Sequence, residues 1–331
     1  MTLRMARRAC QGKNLGAGVS GLRPSLRTIV VDAMIPILLR LGPFHLFGHP
    51  LTLTIYSYGL MMALGFIAAD LVIAADCPRR GIDPEYATAV VLWGALGGIV
   101  GARLYDVIDN WRLYMADPIT IVWSGSGFVW FGGFIGGVTA AYFVARHYKV
   151  SVGATADMCG PALAIGQALG RIGCHLSGDG DWGAPSTLPW AVAYPKAIVG
   201  WGPQTVLKLG PHHELVSGFF PGVRVHPTSI YEAVLYTGVF LILWSMRRRA
   251  GVEGRIFCLY LVLLGACRFM VEFLRINPRV LFGLSEAQVI ALVMVVTGLV
   301  GLHLTGGVFS GWTREERAPQ SRSRAHVAAG A

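Results

Sequence analysis

Charge is scarce in this chain: Asp, Glu, Lys and Arg together make up 14% of its 331 residues, where soluble domains carry about 25%. With 54% hydrophobic residues and a mean hydropathy of +0.55, that shortage excludes an ordinary soluble domain. Paired cysteines are missing as well. The six present (Cys10, Cys77, Cys159, Cys174, Cys258 and Cys267) show no CxxC spacing, and Cys159, Cys258 and Cys267 fall within apolar runs. Neither a disulfide framework nor a zinc site is indicated, so no metal and no cofactor are expected. Acidic residues are outnumbered, 18 against 28 basic ones, for a formal charge of +10. The cations sit in short clusters between apolar runs rather than along one face, which argues against nucleic acid as a partner. No internal repeat is visible, and with it goes the main sign of a transporter or lipid flippase built from interrupted half-spans.

Long apolar runs are what the chain has. "IYSYGLMMALGFIAADLVIAA" (55–75) and "EAQVIALVMVVTGLVGLHL" (286–304) reach the roughly 20 residues that carry a helix across about 30 Å of hydrocarbon. The pattern predicts an all-α integral membrane protein with seven transmembrane helices, at about 52–75, 87–108, 128–146, 155–175, 229–246, 255–274 and 285–304. Loops after the first, third and fifth spans carry Arg79, Arg80, Arg146, Lys149, Arg247, Arg248, Arg249 and Arg255. The opposite loops hold Arg112 and, over a much longer stretch, Lys196, Lys208 and Arg224. Positive charge collects on the cytoplasmic side, so the N-terminus is expected outside and the C-terminus inside.

Three regions follow from this layout: an N-terminal extension (1–50), a membrane domain (51–305) and a basic tail (306–331) expected to be disordered. Segment 176–228 is too long and too rich in Gly, Pro and Trp for a plain connector. It is expected to form a small periplasmic head between the fourth and fifth spans, joined by "WRLYMADP" (111–118). Residues 1–33 oppose the charge rule, since Arg4, Arg7, Arg8, Lys13, Arg23 and Arg27 would all lie outside. Met34 reads as a better start; a mis-called start codon, a cleaved leader and a disordered extension stand as alternatives.

Polar residues inside apolar runs carry the chemistry. The fourth span, "ATADMCGPALAIGQALGRIGC", contains Asp157, Pro161, Gln167 and Arg171 among many Gly and Ala, so it should line a protein interior rather than lipid. In the sixth, "LLGACRFMVEFLR" places Arg268 and Glu272 four apart on one helical face, with Arg275 close behind. Their simplest role is an intrahelical ion pair. Two arginines on separate spans also suit a lipid phosphate, because a guanidinium fork binds phosphate oxygens bidentately. "HPTSIYEAVLY" (226–236) opens the fifth span, with Tyr231 in an aromatic belt or Glu232 in a cavity. "WFGGFIGG" (130–137) supplies Gly132 and Gly133 for close helix approach or for contact with a ligand.

The order "SYGLMMALGF", "GARLYDV", "GGFIGG", "GRIGC…SGDGDWG", "LPWAVAYP", "HPTSIYE" and "RFMVEFLR", over about residues 50–280, resembles the prolipoprotein diacylglyceryl transferase family of bacterial inner membranes. The resemblance implies a multi-pass inner-membrane transferase that moves the diacylglyceryl group of phosphatidylglycerol onto the lipobox cysteine of a preprolipoprotein, releasing glycerol phosphate. Its essential arginine in GRxG falls on Arg171, and its sixth-span Arg and Glu fall on Arg268 and Glu272. Its acidic residue after GRxG would be Asp179, with one extra residue before Trp182 and Gly183. Arg103, Gly132, Gly133, Gly183, Tyr231 and Glu232 are expected to help bind the substrate. Three positions depart from the pattern: Cys174 for Asn, Leu264 for Tyr, and Phe131 for the His before the double glycine.

Thioether formation needs a thiolate, here from the acceptor, and stabilisation of the charge that develops on a phosphate leaving group. Arg171 and Arg268 would bind that phosphate, and His175, Asp179 and Glu272 are the candidate bases. A diverged paralogue with another acceptor, or with no transfer at all, is the alternative; a lipid transporter stands behind it.

Overall fold

The structure is a computed structural model describing residues 34–46, 49–116, 129–194, 197, 206–209, 214–217, 224–248 and 251–306. The expectations for 1–33, for the tail from 307 and for several stretches of 176–228 lie outside these residues. An antiparallel hairpin comes first, β1 (Ile37–Leu46) with β2 (His49–Tyr56). The helices are α1 (Ser57–Asp76), α2 (Glu85–Asp109), α3 (Trp111–Ala116), α4 (Trp130–His147), α5 (Val152–Ser177), α6 (Thr228–Met246), α7 (Arg255–Val271) and α8 (Glu286–Leu304). Two more hairpins pair β3 (Val206–Leu209) with β4 (Glu214–Ser217), and β5 (Arg279–Leu281) with β6 (Leu284–Ser285).

The all-α expectation is thus corrected at three hairpins. The first has a clear cause: "LGPF" and "FGHP" place Gly and Pro too densely for helix, while their apolar neighbours suit strands. The first helix therefore begins at Ser57, not near 52. Among the described residues, five helices are long and apolar enough to cross a membrane: Ser57–Arg80, Glu85–Asp109, Thr228–Met246, Arg255–Leu274 and Glu286–Leu304. The chain is a multi-pass membrane protein. Helices α4 and α5, the third and fourth expected spans, fall outside that measure; α5 carries Asp157, Gln167 and Arg171, and α4 ends on Arg146 and His147.

Helix α5 packs against α1, α6 and α7, while α2 packs chiefly on α4 and α8 on α7. Ser151 caps it by accepting from Ala154 N at 3.1 Å, and Gly178, left-handed at φ 62°, ends it. Half of its 26 residues are buried, the interior position its composition predicts. Small residues allow the contacts: a side chain at Gly65 would come within 3.2 Å of the Gly166 carbonyl. Asp157 is buried for a structural reason. Its carboxylate accepts from Gly254 N at 2.9 Å and Phe257 N at 3.0 Å, capping the first turn of α7 from a neighbouring helix.

Beside it, Asp76 binds Arg79 and Arg80 at 2.9 Å and faces Arg247 at 3.5 Å. Outward faces carry Leu71, Val100, Ile108, Phe143 and Val234 exposed, as a lipid-facing surface requires. Over the far end of α5, Met34, Trp182, Val192, Tyr194 and Val225 form a small core of their own.

Candidate functional site

The last turns of α5 and α7 and the first turn of α6 converge on one polar cluster. Arg171 lies near the end of α5, Glu232 one turn into α6, and Arg268 in the last turn of α7. Beyond α7 a short 3-10 turn (Glu272–Leu274) sets Glu272, and the chain then leaves the helix at Arg275 in an extended conformation (φ −87°, ψ 158°). Glu232 is the hub. Arg171 Nε lies 2.9 Å from its Oε2, Arg268 Nη1 pairs with its Oε1, and Arg275 Nη1 stands 3.6 Å from Oε2. Tyr236 donates to Oε1 at 3.4 Å.

Glu272 takes the other side of Arg268, with Nη2 at 3.1 Å from Oε2. The intrahelical ion pair expected from spacing is therefore present, but as part of a larger network. Asn277 at 2.5 Å and Ser285 at 2.7 Å both donate to Glu272 Oε1. Ser285 is also the cap of α8, in a capping box with Gln288, so the network is tied to the last helix.

The third carboxylate is Asp181, in the loop after α5. One of its oxygens pairs with Arg171 Nη1 and the other with Arg275 Nη2. Thr228 Oγ1 at 2.7 Å and Ser229 Oγ at 3.2 Å donate to its backbone carbonyl. Two residues on, Gly183 donates to the His226 carbonyl at 2.9 Å, and a side chain there would meet the Leu274 carbonyl at 2.6 Å. Gly183 is required for this packing. Burial works to raise the carboxyl pKa of Asp181, but the Arg171 and Arg275 guanidiniums outweigh it and hold it below the usual aspartate range. Three arginines thus face three carboxylates, with the Glu232 and Glu272 side chains fully buried and that of Asp181 30% exposed.

Three guanidiniums gathered at one partly exposed point among apolar helices offer the forks that an anionic group at the end of an apolar ligand requires. The sequence comparisons point the same way. A profile for prolipoprotein diacylglyceryl transferases matches residues 45–304. The chain belongs to that family. Among its relatives, a phosphatidylglycerol–prolipoprotein diacylglyceryl transferase of Clostridium tetani is 32% identical over 259 residues, covering 77% of this chain and 94% of the relative. One of the same name from Geobacter sulfurreducens is 34% identical over 253 residues, covering 73% and 87%.

Within this family member, the structure brings Arg171, Arg268, Glu272 and Glu232 together, as the sequence suggests, and adds Arg275 and Asp181. Asp179, the position matched to the family's acidic residue, sits beside the cluster. Its Oδ1 accepts from Asp181 N at 3.2 Å, and it groups with Cys174 and Asp181. His175 is buried, with Nδ1 2.9 Å from Tyr194 Oη and its ring edge-on to Tyr194, which stacks on Trp182. These contacts tie it to the small core.

Gly132 and Gly133 serve helix contact. A side chain at Gly132 would strike the Gly101 carbonyl and Tyr105 Cβ, and one at Gly97 would come within 2.6 Å of Ala140 Cβ, so α2 and α4 meet through glycine. Tyr231 Oη accepts from Trp190 Nε1 at 2.8 Å and lies 3.3 Å from His226 Nδ1. Arg103 sits over the Tyr114 ring and 3.9 Å from Asp106, at the end of α2.

Phe131 is exposed against Trp130, and Leu264 is buried in the core of α5, α6 and α7. Cys174 Sγ lies 3.9 Å from Arg171 Nη1. Tyr58, not singled out from sequence, lies against the same turn: a side chain at Gly173 would come within 3.4 Å of its ring. Its place in "SYGL" was the available signal.

Proposed function

We propose that the chain transfers the diacylglyceryl group of phosphatidylglycerol to the cysteine thiol of a preprolipoprotein lipobox. The observation that carries this reading is the convergence of Arg171, Arg268 and Arg275 from three elements onto one partly open cluster. The sulfur attacks the glyceryl carbon that bears the phosphoester, forming a C–S bond. The C–O bond breaks, and glycerol phosphate leaves with the electron pair. Arginine forks stabilise the charge that develops on the leaving phosphate without a proton having to move to it.

Of the three candidate bases, His175 is committed to Tyr194, and Glu272 to Asn277, Ser285 and Arg268. Asp179, only partly buried, is the group we assign to accept the thiol proton. Arg171, Arg268 and Arg275 bind the head group, with Glu232 holding their guanidiniums in place, while Gly132, Gly133, Gly183, Tyr231 and Arg103 shape the helices and head around it. We assign seven transmembrane helices, α1, α2 and α4 to α8. The N-terminal end of α1 faces outward and the described residues of 176–228 belong to a periplasmic head, a layout supported by the cations at the ends of α1, α4 and α6. Two experiments test the activity: complementation of a transferase-depleted strain, and mass spectrometry of a lipobox peptide incubated with phosphatidylglycerol. Absence of the diacylglyceryl mass on the peptide refutes it.

A further inference from the structure

Within the ion-paired network the charges balance. Arg171, Arg268 and Arg275 are matched by Asp181, Glu232 and Glu272, and Asp179 adds a further carboxylate beside them, so a phosphate arriving without any other change would leave uncompensated negative charge among apolar helices. Burying such a charge is costly. One of the three carboxylates must give way, and they are not equally able to. Both glutamate side chains are 0% exposed and held on several sides, while that of Asp181 is 30% exposed.

The attachment of Asp181 also differs. Its backbone is pinned by Thr228, Ser229 and the Gly183–His226 bond, but among the described residues its carboxylate accepts from the two guanidiniums alone and can leave by turning about its own side-chain bonds. Arg275 supplies a second, independent sign. Its side chain is 95% buried (5% exposed), yet Nε and Nη1 make no hydrogen bond; the nearest carboxylate oxygens stand at 3.8 and 3.6 Å, beyond hydrogen-bond reach. Donors buried without acceptors are expensive. A phosphate has more acceptor oxygens than a carboxylate and could serve these donors as well as those Asp181 now occupies.

We infer that Asp181 is a built-in competitor for the phosphate: its carboxylate fills the Arg171–Arg275 fork in the resting protein, gives way to the incoming head group, and returns to help expel glycerol phosphate. This rests on the transferase reading for the identity of the ligand, but the displacement can be measured without turnover. Equilibrium dialysis of the detergent-solubilised full chain with radiolabelled orthophosphate compares the parental protein with Asp181→Asn and Asp181→Ser.

Removing the competing anion should tighten phosphate binding on the order of tenfold in both variants, the scale of one charge-assisted hydrogen bond. Phosphatidylglycerol in nanodiscs should compete the bound phosphate away. In turnover assays Asp181→Asn should show stronger inhibition by glycerol phosphate and a lower KM for the lipid. Unchanged or weaker phosphate binding in variants that elute as folded protein overturns the inference. Failure of phosphatidylglycerol to compete overturns the assignment of the fork to a lipid head group. A parental chain that binds phosphate but transfers no diacylglyceryl group refutes the transferase reading instead, and the dialysis comparison still decides the role of Asp181.

Discussion

Replacing Arg171 by Lys separates a phosphate clamp from a structural ion pair. Arg171 now serves two carboxylates from different nitrogens, Asp181 through Nη1 and Glu232 through Nε at 2.9 Å. An ammonium keeps the charge but is a single centre on a shorter reach, so one of the two contacts is lost, along with the planar fork that phosphate needs. Losing one charge-assisted hydrogen bond to the phosphate costs about 1.5–3 kcal/mol, which corresponds to a fall of roughly 10- to 150-fold in kcat/KM.

The fold should survive. Glu232 retains Arg268 and Arg275, the cluster stays neutral, and the penalty of about 3–5 kcal/mol for stranding a buried charge does not arise. Arg171→Gln, which removes the charge, should incur that penalty and reduce the yield of inserted protein. The assay is diacylglyceryl transfer to a lipobox peptide over a range of phosphatidylglycerol concentrations, with Arg268→Lys run in parallel. Parental rates in both lysine variants would refute the clamp and leave the cluster a purely structural network.

Gly132→Ala should push α4 off α2, because its Cβ would strike the Gly101 carbonyl and Tyr105; the expected loss is about 1–3 kcal/mol, read as a lower Tm and yield, with a smaller change in turnover per folded molecule. Alkaline phosphatase fused after Leu304 should be inactive, since the orientation puts that end in the cytoplasm; an active fusion reverses the topology. Acidification should weaken the cluster through Asp181. Its folded pKa lies below the ordinary aspartate value, so its stabilisation is fully present above about pH 4 and is lost as pH falls through the lowered folded value. Thermal melts should fall more steeply below about pH 4 for the parental chain than for Asp181→Asn, and equal slopes would contradict this assignment.

Arg171, Arg268, Glu272 and Glu232 were legible in the sequence because ionisable groups inside apolar runs need partners, and because the motifs around them occur in a recognisable order. Asp181 was not. From Arg171 the family spacing leads to Asp179, and the extra residue before Trp182 leaves two carboxylates two positions apart. Which one meets the arginines is decided by left-handed turns at Gly178 and Gly180, φ 62° and 94°, and by hydrogen bonds from Thr228 and Ser229 some 47 and 48 residues away. Arg275 was passed over as a helix-end cation because its role depends on α7 stopping four residues earlier, at Val271.

Asp157 shows a different limit. A carboxylate in an apolar helix says that the helix lines an interior, as it does, but not that the group caps a helix whose first residues lie about 100 positions on. Local sequence can say that a buried charge must be compensated. Whether the compensation is a backbone terminus, a fixed ion pair or a displaceable one depends on exposure and on distant partners. Here that distinction separates Asp157 and the two glutamates, which hold the bundle together, from Asp181, the one carboxylate of the neutral cluster that an anionic head group can replace.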